Sequence, residues 1–307
     1  YTTLFRSKAK LWEFAPGARQ PDGWPAGIAA ITEADLAGWL KGPVGAPAAF
    51  LAAAGPVAPQ QLARTVAGPL AGWIKPFKGG KSPMPALPAG RRVVLIDKPG
   101  ATDNQIYMLT PIAVDLTQPE AYAAEVFFAG MGRDLGARLG NTLRVQRGLT
   151  YGANSGLRAV EWPSWYVYTF GGMEQTPKLL AGIFELFDAA KTGLTGKEVA
   201  LAKDQLMQDK AGDLETPPEQ IQAVASAVAL GLPPGHAFRA PVGLAGVTTA
   251  GAARPAREVA GLDRTLIVVM GDAKKLKGPI EAVLPAGTTV EVKTFQETER
   301  EALGARP

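Results

Sequence analysis

The residue types that most often carry chemistry are scarce in this chain: one histidine, His236, and no cysteine. A catalytic metal takes about three protein ligands in a fixed arrangement. A lone His236 within the loop-like run Gly231-Leu232-Pro233-Pro234-Gly235-His236 therefore reads as a surface residue, not a ligand. No Gly-x-Ser-x-Gly elbow occurs, and scattered serines with a single histidine do not make a triad. Gly79-Gly80-Lys81-Ser82 lacks the upstream spacing and the preceding strand of a phosphate-binding loop. What remains is Leu143-Arg144-Val145-Gln146-Arg147-Gly148-Leu149-Thr150-Tyr151-Gly152-Ala153-Asn154-Ser155, where a basic helix end meets a glycine turn and enters a strand carrying Tyr151. From residue type alone, such an arginine answers the helix dipole or solvent, and such a tyrosine packs on a sheet.

The elements around this stretch are legible from pattern. Arg92 to Asp97 and Asn104 to Val114 read as strands joined by a turn at Pro99-Gly100. Glu120 to Arg144 reads as one or two helices. Thr150 to Val160 and Trp165 to Gly171 read as an antiparallel pair, with Tyr166, Tyr168 and Phe170 on one packing face. Helices are expected over Thr176 to Lys191, Thr195 to Lys210 and Pro218 to Leu230, the middle one with Thr195 and Glu198 in capping-box spacing. Strands followed by a block of helices point to an α+β layer, not a doubly wound sheet.

A weak internal repeat organises the chain. Thr32 opens a helix pattern with Asp35 in capping-box position, followed by an apolar strand over Ala48 to Ala54 ending at Gly55, and then a helix over Gln60 to Ile74. Thr248 opens a similar helix, then a strand over Thr265 to Met270 ending at Gly271, then a helix over Lys274 to Val283; the Thr-to-Gly spacing is the same in both. We therefore expect two related α+β domains, each an antiparallel sheet with helices on one face. The first is truncated: 1–74 is its C-terminal remnant, 75–90 a Gly/Pro linker, 91–295 the second domain and 296–307 a tail.

Composition excludes whole classes. With 307 residues, 47% of them hydrophobic, the chain can bury a real core, and its 36 glycines and 26 prolines follow no period, so fibrous and disordered classes drop out. The net charge of +4 is modest, and the loose basic cluster Lys75, Lys78, Lys81, Arg91 and Arg92 lacks aromatic platforms, reading as a solvated linker and not a nucleic-acid site. No apolar run reaches membrane-spanning length; Ala46 to Ala58 is short and broken by Pro47, Gly55 and Pro56. The absence of cysteine suits either redox compartment.

The Leu143 to Ser155 stretch resembles one near the active site in the second half of pitrilysin/insulinase zinc peptidases: Leu-Arg, a few residues, Gly-Leu, a small residue, Tyr, then Ser or Gly-Ala. The resemblance continues in order through Ile96-Asp97-Lys98-Pro99-Gly100 with Gln105, Arg138-Leu139, Leu194-Thr195 with Glu198, Val247-Thr248, and Val268 to Asp272. Ile31 to Trp73 is similar to the end of the preceding domain. Between Gly130 and Arg138 the sequence departs from the family's short Gly-Gly-containing run, which leaves the helix before Arg144 undetermined. The resemblance implies two halves closing around a peptide, one carrying a His-x-x-Glu-His zinc site and the other an arginine and a tyrosine. Carried over by position, these are Arg144 and Tyr151, donors to substrate carbonyls and to a developing oxyanion. Arg147 stabilises the turn or contacts peptide carboxylates.

The zinc motif is absent from the sequence, so zinc is expected in a missing half or a partner subunit, and the chain is not expected to be catalytic alone. The expected partners are a peptide and either a catalytic subunit or a second copy of a longer chain, with neither nucleic acid nor a membrane span. A zinc-free subunit of a heterodimeric peptidase and a structural assembly protein, as in respiratory complexes, are the alternatives. A bacterial periplasmic or envelope location follows by analogy only.

Overall fold

The computed structural model describes residues 25–41, 50–71, 90–158, 163–259, 262–294 and 296–298. These fall into two compact units, one formed by residues 90–208 and 241–298 and the other by residues 25–71 and 209–240.

The larger unit is built on a six-stranded sheet. Its strands are β1 (Arg92–Asp97), β2 (Asp103–Pro111), β3 (Gly152–Arg158), β4 (Ser164–Gly172), β5 (Leu266–Gly271) and β6 (Thr289–Thr294), in the spatial order β3-β4-β2-β5-β1-β6. The α+β class read from the sequence is the observed one. The sheet is mixed and not wholly antiparallel: β2 runs antiparallel to β4 and β5, and β3 to β4, but β1 is flanked by two parallel neighbours, β5 and β6. Parallel neighbours need crossover connections. β5 and β6, parallel strands on either side of β1, are joined across it through α10 (Ala273–Glu281).

The central strand β5, Leu-Ile-Val-Val-Met-Gly, is buried at every position, as its unbroken apolar run requires of a strand covered on both faces. One face of the sheet presents Val93, Leu95, Ile106, Met108, Trp165, Val167, Ile267 and Val269 to the helices. These are α4 (Pro119–Gly132), α5 (Thr176–Ala189), α6 (Gly196–Gly212) and α9 (Thr249–Val259). Trp165 packs against Phe128 and Phe187, and its indole N–H donates to Ser155 Oγ at 2.7 Å, so the buried polar atom is satisfied. The opposite face carries Val94, Ile96, Tyr107, Leu109, Leu266, Val268 and Met270, with Tyr166 and Tyr168 against them; the Tyr107 and Tyr168 rings stack at 4.4 Å. The aromatic face of β4 is packing, as the alternation implied.

The second unit contributes α1 (Pro25–Ala29), α2 (Glu33–Lys41), α3 (Pro59–Ala71) and α7 (Pro217–Ala229), together with the start of α8 (His236–Ala245). The capping box read at Thr32 is present, with Asp35 Oδ2 accepting from Thr32 N–H at 2.9 Å and Thr32 Oγ1 accepting from Asp35 N–H at 3.2 Å. The strand expected over Ala48 to Ala54 is not found: residues 50–54 are irregular, and 48–49 lie outside the described residues, as does the linker over 75–89. Ala-rich sequence buries little area per residue, and nothing described pairs with this segment.

Two sequence expectations change in detail. His236 does not sit in a loop but begins α8, after the turn that Gly231, at φ 73°, closes. Arg91, grouped with a solvated linker, is anchored: its side chain is 9% exposed and donates to Leu262 O, Thr288 Oγ1 and Asp263 Oδ1. One backbone carbonyl, one hydroxyl and one carboxylate, all far from Arg91 in sequence, supply acceptors that sequence cannot place.

Candidate functional site

Arg144 lies in a π-helical turn, Gly140–Gln146, and Tyr151 lies between that turn and β3. The turn begins where α4 stops. The Asp134 carboxylate accepts from the N–H groups of Gly136 at 2.8 Å and Ala137 at 2.9 Å, opening a new helical segment. Gly140 passes directly under this loop; a Cβ there would fall 2.3 Å from Asp134 O. The run from Met131 to Gly136, where the sequence departs from the family pattern, therefore holds the last residues of α4 and the loop that starts the Arg144 helix.

The π geometry shows in the first of the bonds that close it, which reaches back five residues where the next two reach back four and six. Arg147 N–H reaches Thr142 O at 3.0 Å, Gly148 N–H reaches Arg144 O at 3.1 Å, and Leu149 N–H returns to Leu143 O at 2.8 Å. Single π turns recur at functional sites because they shift side chains out of the α-helical register. Leu143 is fully buried and pins the turn to the core, facing Gly182 of α5, where a Cβ would come within 2.7 Å of Leu143 Cδ2. Gly148 has φ 62°, the left-handed conformation that lets the chain reverse between helix and strand.

On the strand side a buried hydroxyl knot holds the chain. Thr150 Oγ1 lies within hydrogen-bonding distance of Phe170 O and Gly152 O and accepts from Gly152 N–H at 3.0 Å; Thr169 Oγ1 reaches Thr150 Oγ1 at 3.1 Å and Gly152 O at 2.9 Å. The sequence reading missed Thr150 and Thr169. Their signal, a threonine two residues before β3 meeting one on β4 that pairs with Ala153, is visible only once the β3–β4 register is known.

Between these fixed points the donors project outward. Tyr151 is 79% exposed, and Arg144 is exposed beside Val145, itself 63% exposed. Among the described residues, neither the Arg144 guanidinium nor the Tyr151 hydroxyl has a hydrogen-bond or ion-pair partner. Arg147 differs: it is paired with Glu185 at 2.7 Å. The hydrogen bond from Arg147 holds the Glu185 carboxyl below the ordinary carboxylate range, and the same bond raises the Arg147 guanidinium. The structure thus brings Arg144, Arg147 and Tyr151 onto one closed loop, with Arg147 bound to α5. His236 belongs to the other unit.

A second ion pair supports the same region. Arg138 makes a bidentate bond to Glu198, Nε to Oε1 at 2.8 Å and Nη2 to Oε2 at 2.7 Å, while Glu198 also accepts from Thr195 N–H at 2.8 Å in the capping box read from the sequence. Desolvation pushes the Glu198 carboxyl up, but the bonds from Arg138 and Thr195 outweigh it and leave it depressed.

The donor set does not fit zinc. Among the described residues there is no group of three or more His, Cys, Asp or Glu side chains that could hold a metal. Nor is any helix among them long and apolar enough to cross a membrane.

The family model described as "Peptidase M16 inactive domain" matches residues 30–206. The chain belongs to the peptidase M16 inactive-domain family. Its fold is that of the M16, pitrilysin-like peptidases, which is the family the Leu143 to Ser155 stretch resembles. The M16 inactive domain from Pseudomonas fluorescens is similar at TM-score 0.72 with 20% identity, covering 87% of this chain and 65% of that one. A chain of complex III2 from Candida albicans is similar at TM-score 0.69 with 16% identity, covering 97% of this chain and 70% of that one. A protease from Helicobacter pylori is similar at TM-score 0.63 with 14% identity, covering 82% and 61%. This M16 chain therefore spans about two thirds of the length of those solved chains. No curated protein matches it.

Proposed function

We propose that this chain supplies the substrate-binding, oxyanion-stabilising wall of a zinc-dependent peptidase, with the metal carried by a catalytic half or partner subunit. The observation that carries this reading is the pair Arg144 and Tyr151: two strong donors, unpartnered among the described residues, on a backbone tied down on both sides. A guanidinium donates hydrogen bonds without accepting any and a phenol hydroxyl can donate one, which suits them to peptide carbonyls and to the negative charge that develops on a carbonyl oxygen under attack. Holding the backbone in place before substrate arrives reduces the ordering cost of binding. Arg147, engaged by Glu185, serves the substrate through a peptide carboxylate that competes with that pair.

The same fold occurs in complex III2 from Candida albicans, so an assembly role is the second reading. Exposed donors favour the first, because a structural subunit gains nothing from leaving an arginine and a tyrosine without partners. The test is co-expression with a zinc-motif-bearing M16 chain and assay of peptide cleavage. Arg144→Ala and Tyr151→Phe are expected to lower turnover by roughly a hundredfold each while assembly persists, the scale of one lost oxyanion donor at its weaker end. Wild-type turnover in both variants would refute the assignment.

A further inference from the structure

We propose that Thr150, backed by Thr169, is the positioning residue that fixes the backbone carrying Tyr151 on the loop that begins at Arg144, so that peptide affinity depends on a buried hydroxyl that never touches the peptide. This rests on the peptide-donor reading above. Thr150 is 6% exposed and Thr169 fully buried, so neither can meet a ligand directly. Thr150 is the residue immediately before Tyr151, and its Oγ1 binds the residue immediately after it, accepting from Gly152 N–H at 3.0 Å. The same oxygen reaches Phe170 O on β4 and takes a contact from Thr169 Oγ1 at 3.1 Å. Tyr151 is thereby the exposed tip of a local link whose two feet are joined to one another and to β4.

The other end of the loop is equally determined. Leu149 O approaches Gly171 so closely that a Cβ on that glycine would lie 2.8 Å away, and Leu149 N–H is bonded to Leu143 O, next to Arg144. The backbone from Arg144 to Gly152 is thus closed at both ends, and the Thr150 hydroxyl is the side-chain group whose removal opens the end bearing Tyr151. Packing alone does not explain a threonine here, since valine would fill the same volume without the bonds. Removing the hydroxyl takes away the partner of Gly152 N–H in a part-buried site.

The test is a double-mutant cycle on the full chain, read by fluorescence anisotropy of a fluorescein-labelled, unstructured 20-residue peptide. Thr150→Val is expected to weaken peptide binding about fivefold in the wild-type background and less than about twofold in the Tyr151→Phe background, because coupled residues are not additive. Thr150→Ser, which keeps the hydroxyl, is expected to restore affinity, and amide exchange at Gly152 should quicken in Thr150→Val alone. Equal weakening in both backgrounds, or failure of serine to rescue, overturns the proposal. Full affinity in Thr150→Val beside a weakened Tyr151→Phe overturns it while leaving the donor reading intact. Full affinity in Tyr151→Phe overturns both. Should Thr150→Val fail to fold, Thr169→Val removes the second hydroxyl and is put through the same cycle, with the same outcomes deciding.

Discussion

The Arg147–Glu185 pair shows how much a single contact decides at this site. Both side chains are well exposed, 36% and 60%, so the pair is worth little to stability, within about 0.5 kcal/mol after solvent screening. Its effect is on availability: Glu185 holds Arg147 while Arg144, three residues earlier, stays open. Glu185→Gln is therefore expected to leave the thermal midpoint nearly unchanged and to raise affinity for a peptide with a free carboxylate over its amidated twin, as a titration of both against wild type would show. The lowered Glu185 carboxyl keeps the pair intact at neutral pH; it loosens only as pH falls through that depressed value. The sequence placed Arg144, Arg147 and Tyr151 by resemblance, and their neighbourhood on one loop was legible there. The difference between the two arginines was not, because Glu185 lies on α5, far from both in sequence, and only packing brings it near.

At the scale of elements, the site depends on how the π turn is seated. Gly182 leaves room for Leu143, and a buried leucine contributes about 2 kcal/mol by transfer alone. Gly182→Val is expected to destabilise the unit by about 2 kcal/mol through overpacking and to disturb the Arg144 turn, measurable by urea unfolding together with amide exchange at Arg147 and Leu149. Arg138 and Glu198 tie the same helical segment to α6. Glu198 is ordinarily half-protonated at 4.5 and is depressed in the folded chain. The pair's contribution, about 2 kcal/mol for a partly buried bidentate bond, is complete above the ordinary value and is lost as pH falls through the depressed one. Arg138→Ala should therefore be less stable than wild type at pH 7, with the difference shrinking in urea melts as pH falls below the ordinary glutamate value and through the depressed one. Capping boxes at Thr32 and Thr195 were readable because they are local. The π turn was not: its bonds need the loop at Asp134 and the glycine beneath Leu143, both set by tertiary contact. The parallel pairings of β1 likewise join residues far apart in sequence, which alternation alone does not reveal.

For the whole molecule, the lack of a metal-ligating group among the described residues carries a direct expectation. A bound structural metal would raise stability by mass action, so neither chelator nor added zinc should move the thermal midpoint of the isolated chain. A shift of several degrees would show a ligand set that the described residues do not contain. The fold class was legible because strands followed by a block of helices leave few architectures, and β5 announced itself by its unbroken apolar run. The division into units was harder to read, since residues 209–240 continue the helical block in sequence yet group with residues 25–71. The central claim is that Arg144 and Tyr151 form a peptide-facing donor pair, and the most direct test is peptide affinity of the full chain by anisotropy. Wild type should bind a labelled, unstructured peptide, with Arg144→Ala and Tyr151→Phe each weaker by roughly fivefold or more at unchanged thermal midpoint. Equal affinity in all three proteins, or no binding by wild type, would contradict it.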